Sequence, residues 1–212
     1  MVKQLTQNIK VIALGGAGEI GKNMYVIEVD EDIFVLDAGL MFPETEMLGI
    51  DVVIPDITYL IENKERVQGI FLSHGHEDHI GALPYIIEVL DAPVYGTRLT
   101  IELAKAKIEE IKGRVDAEFE VVDSNTALRF ATSRITFFKT NHSIPDSVGI
   151  CIDTKEGAIV YTGDFKFDQA AQGPYKAEVG KMAAIGEAGV LCLLSDSSGA
   201  EKVGFTPSES LV

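Results

Sequence analysis

Ser73-His74-Gly75-His76-Glu77-Asp78-His79-Ile80-Gly81 places three imidazoles and a carboxylate within six residues, directly behind Gly69-Ile70-Phe71-Leu72, an apolar run of strand length. The chain has 4 histidines, and three of them are here. Neutral imidazole nitrogens and carboxylate oxygens are the donors that zinc and neighbouring first-row ions take. Four donors so close together cannot all reach one ion without straining the loop, which implies two adjacent ions. His74 and His76 are assigned to one ion, Asp78 and His79 to the other. The competing reading is a polar surface turn that happens to contain histidines.

With 212 residues, 46% of them hydrophobic, the chain can bury a substantial core, and its mean hydropathy of +0.16 argues against general disorder. No apolar run approaches the roughly 18 residues of a membrane helix, and Met1-Val2-Lys3-Gln4-Leu5-Thr6-Gln7-Asn8 lacks the apolar segment of a signal peptide. A soluble cytoplasmic protein without membrane contact is expected. Cys151 and Cys192 both lie in apolar strand-like runs, so buried free thiols are expected rather than a disulfide. A net charge of -15 opposes the non-specific binding of nucleic acid, which depends on Lys and Arg neutralising phosphates. Any attraction for RNA or DNA must then be local, at a metal site and groove, or come from other protein.

Upstream, Lys10 to Leu14 reads as a strand entering Gly15-Gly16-Ala17-Gly18-Glu19-Ile20-Gly21, which contains a literal G-x-G-x-x-G. Pyrophosphate binding by such a loop requires a following helix whose amides face the phosphates. Asn23 to Asp30 instead alternates and is rich in β formers. The glycines are therefore read as a turn between antiparallel strands, lining the active site. Ile33 to Leu36 adds a third strand, Leu40 to Ile57 a long loop, and 57–66 a helical pattern. Helices are also predicted over 80–90, with Pro84 in the first turn, over 99–111 closed by Gly113, and over 175–186. Lys105, Lys107, Glu109 and Glu110 are read as a solvated face. Strands are predicted at 94–95, 119–122, 127–130, 135–142, 148–152, 158–164 and 190–196.

Five of the predicted strands end on a residue of metal-binding type: Asp37, His74, His142, Asp164 and Asp196. Strand ends that share a sheet edge open into one crevice, so these side chains are expected to meet. His142 supplies a third nitrogen beside His74 and His76, and Asp164 a carboxylate able to bridge both ions. Asp37 either orients a ligating histidine or caps the turn before Gly39. For His142 the competing reading is a core histidine, and for Asp164 a turn or helix-cap aspartate. Two divalent ions set against the carboxylates of Asp78 and Asp164 leave a cationic centre in an acidic protein. Such a centre suits phosphodiester hydrolysis, because it activates a water and clamps phosphoryl oxygens.

His74-x-His76-x-Asp78-His79 with His142 and Asp164 resembles the metallo-β-lactamase superfamily. Gly15 to Asn23, Asp37 to Glu44, Gly49 to Asp56, His142 to Ser147, Thr162 to Asp168 and Leu193 to Ser197 are similar in wording to the bacterial ribonuclease J family, across nearly the whole chain. The resemblance implies a four-layer αββα sandwich of mixed α/β class over residues 1–212, with a dinuclear metal site. It also implies 5′-to-3′ exonuclease and endonuclease activity on RNA, with zinc or manganese, in mRNA turnover and rRNA maturation. His74, His76 and His142 are implied for one ion, Asp78 and His79 for the other, with Asp164 bridging. Catalytic roles are implied for Asp78, for Asp37 in the family's first motif, and for Asp196 at the opening of the β-CASP region that grips RNA.

Because the sequence stops at Val212, the β-CASP insertion, a last ligand histidine, the returning part of the lactamase domain and a C-terminal domain are expected to lie outside it. The sandwich is then incomplete at its C-terminal side, and little activity is expected of this chain alone. The implied partners are single-stranded, 5′-monophosphorylated RNA and, in the full-length protein, further copies or a paralogue. Two other functions compete: a weakly active scaffold paralogue, distinguished by low metal content, and a thioester or lactone hydrolase of the same superfamily.

Overall fold

Short runs rich in β-forming residues build a meander, in which β1 (Ile9–Gly15), β2 (Met24–Val29) and β3 (Asp32–Leu36) pair antiparallel in turn. A computed structural model describes residues 6–44, 46–114, 116–204 and 206–209, so positions 1–5 of the segment read for a leader, and Val212, lie outside the described residues. The chain divides into two units, Met1–Val122 and Asp123–Val212. Among the described residues no helix is long and apolar enough to cross a membrane.

In the first unit the pairing turns parallel after β3, through β4 (Val67–Phe71), β5 (Val94–Gly96) and β6 (Phe119–Val121), in the sheet order β1-β2-β3-β4-β5-β6. Parallel neighbours need crossovers. These contain α1 (Thr58–Glu62), α2 (Glu77–Ile80), α3 (Leu83–Leu90) and α4 (Arg98–Lys112). Ile33, Val35, Ile70 and Val94 pack with Leu60, Leu83, Ile86 and Ile101, so helices cover one sheet face. Phe34 and Phe71 point to the other, their rings 6.0 Å apart edge to face, with Tyr95 stacked on Phe71 at 4.7 Å.

The glycine-rich turn joins β1 to β2, and a strand follows it, so no helix N-terminus is available for a pyrophosphate. Gly16, Gly18 and Gly21 take φ values of 83°, 76° and 93°, which side chains rarely adopt. The predicted helix over 57–66 is α1 followed by a separate 3-10 turn at Lys64–Arg66. That predicted over 80–90 breaks at Gly81 because the Ala82 amide donates to the Ala38 carbonyl instead of continuing the helix, and Pro84 then opens α3. Gly113 closes α4 as expected, at φ 74°.

Glu28 is a buried carboxylate on β2, its side chain 3% exposed. It accepts hydrogen bonds from Lys10 and Arg66, each at 2.9 Å, and from the Tyr59 hydroxyl. Burial alone would raise its pKa, but the bonds from Tyr59, Arg66 and Lys10, with the charge of Arg66, lower it from 4.5 to about 2. The folded-state value therefore lies below that of the unfolded chain. Its stabilisation is complete above about pH 4.5 and is lost as the pH falls toward 2. It amounts to on the order of 3 kcal/mol. Urea denaturation of Glu28→Gln is expected to show a deficit of that order near pH 7 that closes by about pH 2 to 3. A deficit independent of pH rules the ionic account out.

The second unit carries β7 (Ala127–Arg129), β8 (Arg134–Lys139), β9 (Val148–Thr154), β10 (Gly157–Tyr161) and β11 (Val190–Leu194) in the order β11-β10-β9-β8-β7. α5 (Val179–Ala188) starts later than predicted, since 173–175 form a separate 3-10 turn. Met182 and Ile185 of α5 pack on Phe138, Cys151, Ala158 and Val160. Both cysteines are free thiols, Cys151 buried and Cys192 half-buried.

Candidate metal centre

α2 is four residues long, so its carbonyls need partners from outside the helix. The loop after β3 supplies them: Ala38 N–H donates to the His79 carbonyl at 2.8 Å, and Leu40 N–H to that of Glu77 at 3.1 Å. Asp37 N–H donates to the Phe71 carbonyl at 2.9 Å, and Gly39 N–H to that of Asn23 at 2.9 Å. Three stretches distant in sequence, at Asn23, 37–40 and 71–82, are thereby laced into one loop cluster.

Asp37 is fully buried and takes a left-handed φ of 61°, uncommon for a residue with a side chain. Its Oδ1 accepts from the Ser73 amide at 2.7 Å, and its Oδ2 from the Ser73 hydroxyl and His79 Nδ1, both at 2.7 Å. The carboxylate can only accept, so the His79 proton facing it is on Nδ1, and in the neutral ring that leaves Nε2 as a lone pair. Ser73 spends its proton on Asp37, so its Oγ, 3.0 Å from His74 Nδ1, accepts from that ring. One buried carboxylate thus sets the tautomers of two histidines, the role outer partners play at metal sites.

The donor atoms come in pairs. His74 Nε2 lies 3.1 Å from His76 Nδ1, and His79 Nε2 lies 3.6 Å from Asp78 Oδ2. Ligand atoms at about 2.1 Å from one tetrahedral ion sit about 3.4 Å apart. The residues fit a divalent ion on that count. Their donor types agree as well. His74 and His79 are buried, while His76 and Asp78 are half-buried.

In the second unit β8 and β10 both run antiparallel to β9, and β11 runs parallel to β10, so the C-terminal ends of β8, β10 and β11 share one edge. His142 follows β8 and Asp164 follows β10, with His142 Nε2 3.5 Å from Asp164 Oδ2, a third pair at ligand spacing. Asp196 follows β11. Its carboxylate accepts from Ser198 N–H at 2.7 Å and its own N–H donates to Thr162 at 3.1 Å, which ties it into a turn.

Two members of the first cluster carry no sequence signal of their own. Ser73 is an ordinary strand-end residue, and Asn23 gains its part only because the glycine-rich turn meets α2. Lys107, read as solvated, instead pairs with Glu77 of the metal segment at 2.9 Å, which corrects that reading and raises the lysine pKa. A hollow of about 640 Å³ in the second unit, bordered by Arg134, Cys151, Asp153 and Lys181, is a poor reaction site. Burial, with Asp153 nearby, pushes the Cys151 thiol up to about 12, and Lys181 is held by Glu178.

The family model described as the metallo-beta-lactamase superfamily matches residues 17–188. The chain is 55% identical over 212 residues to Ribonuclease J 2 of Staphylococcus saprophyticus, covering 100% of this chain and 38% of that protein. Its fold is similar to that of a protein of unknown function from Enterococcus faecalis V583, with a TM-score of 0.68, 16% identity, and 95% and 52% of the two chains covered. The metallo-beta-lactamase fold protein YhfI from Bacillus subtilis aligns with a TM-score of 0.53 at 20% identity, over 78% of this chain and 66% of that one.

Proposed function

The chain belongs to the metallo-β-lactamase superfamily, and on that premise we propose that it is part of a metal-dependent ribonuclease that hydrolyses RNA phosphodiester bonds. Its two sheets, with helices on one face of each, are that superfamily's mixed α/β fold. The observation that carries the reading is identity of 55% to a ribonuclease J across the full length of this chain. The chain spans 38% of that relative's length, so the activity proposed is that of the longer protein.

His74, His76 and His142 are the residues proposed to hold one divalent ion, and Asp78 with His79 the other, with Asp164 shared. Zinc is favoured by the imidazole-rich donor set, and manganese is compatible with the carboxylates. The ions, when bound, supply an activated water and a counter-charge for the phosphoryl oxygens. The protein's own part is orientation. Asp37 holds His79 with Nε2 outward and, through Ser73, does the same for His74. Both rings are thereby spared any search for the right tautomer. The local positive centre gives an acidic chain one point of attraction for an anionic polymer. Single-stranded RNA with a 5′-monophosphate is the proposed substrate, and the cytoplasm the proposed location.

Incubating the full-length protein with 5′-monophosphorylated RNA, a thioester and a lactone tests this. RNA is expected to be cleaved, the cleavage to be lost on chelation and restored by zinc or manganese, and the other substrates to persist. RNA left intact under every metal condition, or a faster thioester or lactone reaction, refutes it.

A further inference from the structure

Asn23 sits where the glycine-rich turn runs into β2, and both of its nitrogens are directed at the metal segment. Its backbone N–H donates to the Asp78 carbonyl at 3.0 Å and its carbonyl accepts from Gly39 at 2.9 Å. Its side-chain nitrogen lies 3.1 Å from the Asp78 carbonyl, 3.4 Å from Asp78 Oδ2 and 3.1 Å from His79 Nε2. The two Asp78 oxygens are acceptors, and so is Nε2 in the neutral His79 ring, whose one proton faces Asp37. The amide nitrogen, not its oxygen, must therefore face them.

Asp78 Oδ2 and His79 Nε2 are the two atoms assigned to the second ion, and they lie 3.6 Å apart. A carboxylate oxygen and an imidazole lone pair repel each other at that range unless something positive stands between them. The Asn23 amide hydrogens are that positive element. The glycine-rich turn fixes the amide from behind: a Cβ on Gly16 would lie 2.4 Å from Asn23 Oδ1.

Resting on the two-ion reading above, we propose that Asn23 is a positioning residue for the second ion, donating in the metal-free protein to both atoms the ion takes and releasing His79 Nε2 when it binds. The amide keeps the Asp78 carbonyl and carboxylate as acceptors after the exchange, so no hydrogen is stranded. This gives the G-x-G-x-x-G turn a task that nucleotide binding does not explain. Removing an outer partner of this kind weakens metal binding by roughly 10- to 100-fold.

The full-length protein, stripped of metal, is titrated with zinc against a competing chelator as wild type, Asn23→Ala and Asn23→Leu. Leucine keeps the side chain's approximate volume and removes its donors. Both variants are expected to hold the tighter ion within about twofold of wild type and the second ion about 10- to 100-fold more weakly. In the metal-free protein the ¹⁵N resonance of His79 Nε2 is expected to move downfield in both variants, as its lone pair loses a donor. Unchanged second-ion affinity and an unmoved resonance, or equal loss of both ions in Asn23→Leu, overturn the proposal. A wild type that takes up one ion or none overturns the two-ion reading itself, and this proposal with it.

Discussion

His76→Ala in the full-length protein is expected to lower RNA cleavage by on the order of 10³-fold or more while the unfolding midpoint stays near wild type. The separation of effects comes from where His76 sits. It is half-buried at the N-terminus of α2, makes no side-chain cap to that helix, and offers its Nδ1 at 3.1 Å from His74 Nε2. On the proposed assignment, truncation removes a donor from the first ion, and it leaves no deep cavity. His79→Ala is a poorer test, because it also strips a proton donor from Asp37, a carboxylate with no exposure, and so costs stability whatever the chemistry. Single-turnover cleavage together with a urea titration separates the cases. Activity within tenfold of wild type would remove His76 from the proposed centre, and a collapsed midpoint would make it a structural residue.

What could be read from sequence was what local pattern controls. Apolar runs marked β1 and β3, alternation marked β2, the apolar run marked β4 ahead of His74, and Gly113 marked the end of α4, because each depends on residues a few positions apart. What escaped depends on partners far along the chain. The helix predicted over 80–90 breaks because Ala82 finds the Ala38 carbonyl, and Lys107 leaves the solvated face because Glu77 is within 2.9 Å. The candidate metal ligands stood out by residue type and spacing. Their supports did not: Ser73 and Asn23 are common residues whose roles exist only after chain segments 36 and 55 residues apart have met. Asp37 lay between the two classes, visible as a strand-end acid, while its left-handed backbone and doubly used Oδ2 were not.

Gly39→Ala is expected to cost about 4 kcal/mol or more, a loss far larger than one methyl group commonly brings. Backbone conformation is not the reason, since Gly39 is absent from the positive-φ residues. Space is: a Cβ there would lie 1.7 Å from the Asp78 carbonyl oxygen and 2.7 Å from the Asn23 nitrogen. Neither atom can yield cheaply, because they are bonded to each other at 3.0 Å and the same carbonyl also accepts from the Asn23 side chain at 3.1 Å. Making room means opening the lacing that seats Asp78 and His79, so stability and second-ion affinity should fall together. Gly18→Ala is the natural contrast. Nothing lies within 4 Å of its Cβ position and only its φ of 76° is unfavourable, a strain worth about 1 to 2 kcal/mol. Urea midpoints and zinc titrations on both variants decide the matter: equal losses at the two glycines, or a Gly39→Ala protein that keeps its second ion, would mean that close packing of this loop is not what shapes the site.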